Sequence, residues 1–206
     1  MLTAPRPVAG FTLTELLVGI AIVAILLGLG MPGISGYIQS AKLNASAQSY
    51  LAGIQTARTT AIRQNLRAEF VLTDTPVETV NLADNLAPAP NGQNWVVRVA
   101  DPTRAPPAFL LVEAKSATEE GASVASPPAV QIAGISAPNA FTGVVPFNGF
   151  GGTADASNYQ FDLQNPRGGA CAPAGAMRCP RILVPAGGLA RICDPLVPIA
   201  TDSRGC

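Results

Sequence analysis

The feature that most constrains this chain is a long apolar run near its N-terminus. Between Phe11 and Ala41 the only charged side chain is Glu15, and aliphatic residues with Gly and Ala make up most of the run. As an α-helix the run would rise roughly 46 Å, which exceeds the hydrocarbon core of a bilayer, about 30 Å thick. We therefore expect residues 11–31 to form a transmembrane helix.

The residues before this run indicate how it is used. A secretory signal peptide places its cleavage site after the apolar region, whereas the candidate site here, Gly10, comes before it. The apolar helix is therefore expected to be retained after processing. Arg6 lies in the short segment before the apolar run. A basic residue there favours a cytoplasmic N-terminus, with the part of the chain after the apolar run on the other side of the membrane.

The stretch Gly10-Phe11-Thr12-Leu13-Thr14-Glu15-Leu16-Leu17 resembles the processing motif of type IV prepilins and pseudopilins. The resemblance implies a leader peptide at residues 1–10, cleavage after Gly10 by a prepilin peptidase, and methylation of the new amine on Phe11. Thr14 stands where that family usually has an aliphatic residue. The alternative is an ordinary signal anchor in which Glu15 is incidental.

An acid in an apolar helix costs about 2.5 to 3.5 kcal/mol at the membrane centre and normally has a function. Glu15 follows Phe11 by one helical turn. If such helices stack in a filament, this carboxylate can meet the Phe11 amine of a neighbouring subunit. We expect that ion pair to register the subunits during assembly.

A second, amphipathic half of the helix is expected over residues 32–66. Pro32, flanked by glycines, should kink or locally unwind the helix. Beyond it apolar residues recur every three or four positions, which predicts a face packed on a soluble domain. The stripe comprises Leu43, Ala47, Tyr50, Ile54, Ala57 and Ala61.

After Asn65 short runs rich in Val, Ile and aromatic residues predict a mainly antiparallel β head over residues 67–206. Trp95–Val99 partly alternates, as a strand buried on one face would, and the Gly-rich turn 185–188 predicts a hairpin. The long connections 73–94 and 114–128 are expected to be solvated loops. The predicted strands are 68–72, 95–99, 109–112, 130–132, 144–147, 159–163, 182–184 and 189–193.

Four cysteines lie within the last 36 residues, in a segment rich in Pro and Gly. Their even number predicts two disulfides formed in an oxidising compartment. The spacings leave the three possible pairings open, and a zinc site is the less favoured alternative because no CxxC pair occurs. The four are Cys171, Cys179, Cys193 and Cys206.

Further stretches are similar to the GspH/FimT group of minor pilins and pseudopilins: residues 57–65 with the strand after them, residues 145–151, and residues 189–195. Thr59-Thr60 and Ala190 depart from that group's pattern. The resemblance implies an α+β type IV pilin fold, in which a long N-terminal helix packs on an antiparallel β head with a disulfide-closed C-terminal region.

No catalytic constellation, cofactor site or metal site is expected. The chain has no His, which excludes His-based catalytic triads, His metal ligands and His proton shuttles. With 13 basic and 13 acidic side chains, a nucleic-acid role would have to be local. Some members of the resembled group bind DNA through C-terminal arginines. Here the corresponding candidates are Arg178, Arg181 and Arg191, although ordinary surface arginines are the default.

The resemblance thus implies a minor pilin of a type IV pilus, a structural subunit that helps to initiate or cap the pilus rather than an enzyme. Its partners would be the prepilin peptidase, the major pilin, other minor pilins and the inner-membrane assembly platform. It would begin as a single-pass inner-membrane protein with a periplasmic head and end in an extracellular pilus or a periplasmic pseudopilus. The alternatives are a type II secretion pseudopilin and a DNA receptor at the pilus tip.

Overall fold

The computed structural model describes residues 11–77, 84, 86–105, 108–116, 131–165, 169–175, 177–200 and 202–206, without the side chains of residues 27–37 and 131. The chain divides into two compact units, Met1–Ile38 and Gln39–Cys206. We call the second unit the body. The predicted leader, residues 1–10, lies outside the described residues.

One helix, α1 (Leu13–Gln64), contributes to both units. It remains α-helical through Pro32, so the helix continues there as expected, and of the predicted kink or local unwinding the unwinding does not occur. Asn65 follows the last helical residue with a φ of 51°, the left-handed conformation that commonly terminates helices. The predicted end of the helix was correct to within two residues.

Within the body, the predicted helix stripe is confirmed as the buried face. Its six members are all at most 5% exposed and belong to one hydrophobic core together with residues of both sheets. The helix therefore lies against the core of the body along the face that the sequence periodicity indicated.

In the part of the chain that the structure describes, eight strands form two antiparallel four-stranded sheets, which confirms the α+β prediction. The first sheet has the order β3-β2-β1-β5 and the second β4-β6-β7-β8. All eight predicted strands are present, with ends displaced by up to five residues. Their bounds are β1 (Ala68–Thr73), β2 (Asn94–Ala100), β3 (Phe109–Lys115), β4 (Gln131–Ala137), β5 (Val144–Phe147), β6 (Asn158–Gln164), β7 (Arg181–Val184) and β8 (Arg191–Cys193).

The first sheet is buried more deeply than the sequence indicated. From Asn94 to Val99 every residue of β2 is buried, so the prediction of a strand buried on one face was wrong. A second apolar cluster of Val71, Leu86 and Val96 is the reason. Leu86 belongs to the connection 73–94, which was expected to be entirely solvated, and its side chain is only 7% exposed.

The cysteines form the two predicted disulfides, Cys171–Cys179 and Cys193–Cys206. The first of the four cysteines is joined to the second, and the third is joined to the fourth. The second disulfide holds the C-terminal residue beside β8, where Asp194 N donates a hydrogen bond to Arg204 O at 2.7 Å. The C-terminal region is therefore closed onto the second sheet.

Candidate functional site

The first turn of α1 is organised by Thr12 and Glu15. The Thr12 amide and the Thr12 hydroxyl both donate to Oε2 of Glu15, at 2.9 and 2.8 Å, and the Glu15 amide donates to Oγ1 of Thr12 at 3.3 Å. This reciprocal arrangement is a capping box, which satisfies backbone N–H groups that a helix start leaves without partners. Glu15 therefore has partners within its own chain, one turn from Phe11.

The helix that follows exposes its apolar side chains on all sides. Each of these side chains is more than half exposed, although water is an unfavourable environment for such a surface. A helix that is apolar all round requires apolar surroundings, either lipid or other helices. The exposed large side chains are Leu13, Leu16, Leu17, Val18, Ile20, Ile22, Val23, Ile25 and Leu26.

Among the residues that the structure describes, no helix is both long enough and apolar enough to cross a membrane.

Of the predicted processing residues, Gly10 lies outside the described residues. Phe11 is 91% exposed and precedes the helix, so the chain around the expected cleavage point is accessible on its C-terminal side. The side chains of residues 27–31, at the end of the expected transmembrane segment, are also outside the described set.

A known family model matches this region of the chain, over residues 5–31. It is the prokaryotic N-terminal methylation motif. The match includes Gly10, Phe11 and Glu15, the residues singled out above for processing and assembly. The methylation motif therefore coincides with the exposed apolar helix and its capped first turn.

Two solved structures are similar to the chain at low sequence identity. The type IV minor pilin FimU of Pseudomonas aeruginosa is 11% identical, with a TM-score of 0.44 over 72% of this chain and 90% of that one. The minor pseudopilin EpsH from the type 2 secretion system of Vibrio cholerae is 10% identical, with a TM-score of 0.44 over 75% of this chain and 98% of that one. No curated protein is significantly similar to the chain in sequence.

The three arginines predicted as a DNA-binding set each have a partner in the body. Arg178 Nη1 lies 2.8 Å from a carboxylate oxygen of Asp194, and Arg181 forms an ion pair with Asp162. Arg191 Nη1 donates to the Gly205 carbonyl oxygen at 2.9 Å. Two of the three positive charges are thus balanced by neighbouring carboxylates, which reduces the field available to a phosphate backbone.

Arg204 lies near this set and is balanced in the same way. Hydrogen bonds from the Arg204 side chain and backbone amide lower the pKa of Asp202 to about 2, so this carboxylate stays charged near neutral pH. Arg178, Asp194 and Arg204 line one open cavity of about 590 Å³ at the disulfide-closed end of the body. Of these arginines, Arg178 and Arg204 line this cavity, and Asp194 and Asp202 largely balance their charge.

Two features were not singled out from the sequence. Thr12 was missed, although Thr12-Leu13-Thr14-Glu15 has the Thr-x-x-Glu spacing of a capping box and could have been recognised. Phe150 is 94% exposed in a turn of the body. No local pattern distinguishes it from the buried Phe147, because exposure in a turn is decided by the surrounding fold.

Proposed function

We propose that the chain is a minor pilin, a structural subunit that helps to initiate or cap a type IV pilus. The observation that carries this proposal is the methylation motif at residues 5–31, placed on a helix whose apolar side chains are exposed all round. A retained helix of this kind can pass from lipid into the core of a filament and remain in apolar surroundings throughout. The body, with its buried apolar core, would remain in water.

In this proposal the prepilin peptidase cuts after Gly10 and the Phe11 amine is methylated. Before assembly, Thr12 holds the Glu15 carboxylate through two hydrogen bonds. In the filament, the charged amine of a neighbouring Phe11 offers Glu15 a stronger, charge-assisted partner in apolar surroundings. This change of partner for Glu15 favours one stagger between neighbouring helices, because any other stagger leaves the carboxylate and the amine without their ion pair.

The proposed partners are the major pilin, other minor pilins and the inner-membrane assembly platform, and the proposed role is structural rather than enzymatic. The proposed location is the inner membrane with a periplasmic body, followed by the filament. A type II secretion pseudopilin would use the same motif and helix, and it remains the alternative. A DNA receptor at the pilus tip is less favoured, since Asp162 and Asp194 offset two of the candidate arginines.

The test is genetic. The gene for this chain is deleted in its own host and restored either as wild type or as Glu15→Ala, and both surface pili and secreted proteins are quantified. We expect deletion to reduce pili by tenfold or more, wild type to restore them, and Glu15→Ala to be processed but to restore few. Loss of secretion with normal pili would favour the pseudopilin. No change in either quantity would contradict the proposal.

A further inference from the structure

The body exposes an apolar patch where the end of α1 meets two turns. Ile62, Phe150 and Leu189 are 42%, 94% and 68% exposed. A Cβ on Gly151 would lie 2.7 Å from Cδ1 of Ile62, and one on Gly188 would collide with the Gly151 carbonyl oxygen. Phe150 and Leu189 are the chain neighbours of these two glycines, so the three exposed residues lie close together on the body. We call them the Phe150 patch.

The turn that presents Phe150 is held firmly. The side-chain oxygen of Asn148 accepts hydrogen bonds from the amides of Phe150 and Gly152, at 3.0 and 3.3 Å. Arg58 Nε donates to the Gly151 carbonyl oxygen at 2.9 Å. The backbone of such a pre-organised turn loses little conformational freedom when the aromatic side chain that it carries binds a partner, which is a property of interface anchors.

The helix that contributes Ile62 to the patch also carries two arginines close to it in the structure or the sequence. Arg58 is hydrogen-bonded to the Phe150 turn, and Arg63 is exposed and follows Ile62 in the last turn of the helix. Two copies of the patch placed face to face would bring these arginines against their counterparts, which disfavours a two-fold contact between copies of this chain. A surface with carboxylates around an apolar pocket is complementary to it.

The size of the patch limits the kind of partner. Three side chains offer a few hundred Å², whereas a stable independent complex needs roughly 800 Å² on each partner. The contact can therefore be stable only if other contacts already hold the partner close, which raises its effective concentration. Subunits anchored side by side through their N-terminal helices satisfy this condition.

We propose that the Phe150 patch docks onto the head of a different, adjacent filament subunit, in an apolar pocket flanked by carboxylates. This inference rests on the proposed filament function and adds the surface that selects the neighbour. The N-terminal helices would supply proximity, and the patch would supply the choice of neighbour.

The test uses the full chain in its own host, with p-benzoylphenylalanine in place of either Phe150 or Ile135. Ile135 is the matched control, because it is 53% exposed on β4 and does not belong to the patch. After irradiation, crosslinked products are identified by mass spectrometry in sheared filaments. We expect the Phe150 position to crosslink to another subunit that has its own methylation motif, and the Ile135 position to do so at least about tenfold less.

Substitutions give the second readout, the ratio of chain in filaments to chain in membranes. Phe150→Ser, Leu189→Ser and Arg63→Glu should each lower the ratio about tenfold relative to Ile135→Ser, with the level of chain in the membrane unchanged. Equal ratios in all variants, a crosslink to a second copy of this chain, or a crosslink to a protein outside the filament would overturn the patch proposal alone. Absence of the wild-type chain from filaments would overturn the proposed function as well.

Discussion

At the scale of single residues, the buried carboxylate of Glu69 depends on two arginine partners. Its carboxylate is 3% exposed and lies 2.7 Å from Arg67 and 2.8 Å from Arg98. Arg98 is 10% exposed and its guanidinium lies 4.0 Å from the centroid of the Phe109 ring, whereas Arg67 is 56% exposed. One carboxylate therefore has one buried and one solvated cationic partner.

This asymmetry predicts different costs for removing the two arginines. Arg98→Ala removes the buried partner and its contact with Phe109, and should lower the free energy of unfolding of the body by about 3 kcal/mol. Arg67→Ala removes a solvated partner and should cost less than about 1 kcal/mol. Urea unfolding of the two variants measures the difference, and equal costs would contradict the assigned roles.

At the scale of elements, the turn between β7 and β8 shows what the sequence can and cannot specify. The Gly-rich turn between two apolar runs predicted a hairpin, because turn chemistry is local. The packing around each glycine, by contrast, is not determined by the residues of the turn. Gly188 has a φ of +79° and packs against Gly151, whereas a Cβ on Gly187 would meet nothing within 4 Å. The difference depends on residues distant in sequence.

The two adjacent glycines therefore provide a matched pair. Gly188→Ala places a Cβ against the Gly151 carbonyl in a left-handed backbone conformation, and should destabilise the body by about 2 kcal/mol or more. Gly187→Ala should be neutral within about 1 kcal/mol. Thermal unfolding followed by circular dichroism tests this order, and a Gly187→Ala variant as unstable as Gly188→Ala would show that the packing is wrongly assigned.

The same distinction holds for the other elements. The helix stripe and the strands followed from periodicity, since each pattern is contained in one segment. The division into two sheets did not follow, because strand order depends on pairings such as β1 with β5, which are more than 70 residues apart. The burial of both faces of β2 depends on Leu86 from a connecting segment, and no pattern within β2 reveals this.

At the scale of the whole molecule, the surfaces of the two units differ in polarity. The described side chains of the N-terminal unit are exposed and mainly apolar, whereas the body buries its apolar residues in a core shared by both sheets and α1. The N-terminal unit is therefore suited to an apolar environment, and the body is suited to water. The methylation motif lies in the unit that requires the apolar environment.

In the proposed function, this chain is processed after Gly10 and enters a filament. The most direct measurement is mass spectrometry of the N-terminal peptide of the chain recovered from sheared filaments. We expect a peptide that begins at N-methylated Phe11 and lacks residues 1–10. An N-terminus at Met1, cleavage beyond the apolar run, or absence of the chain from the filaments would contradict it.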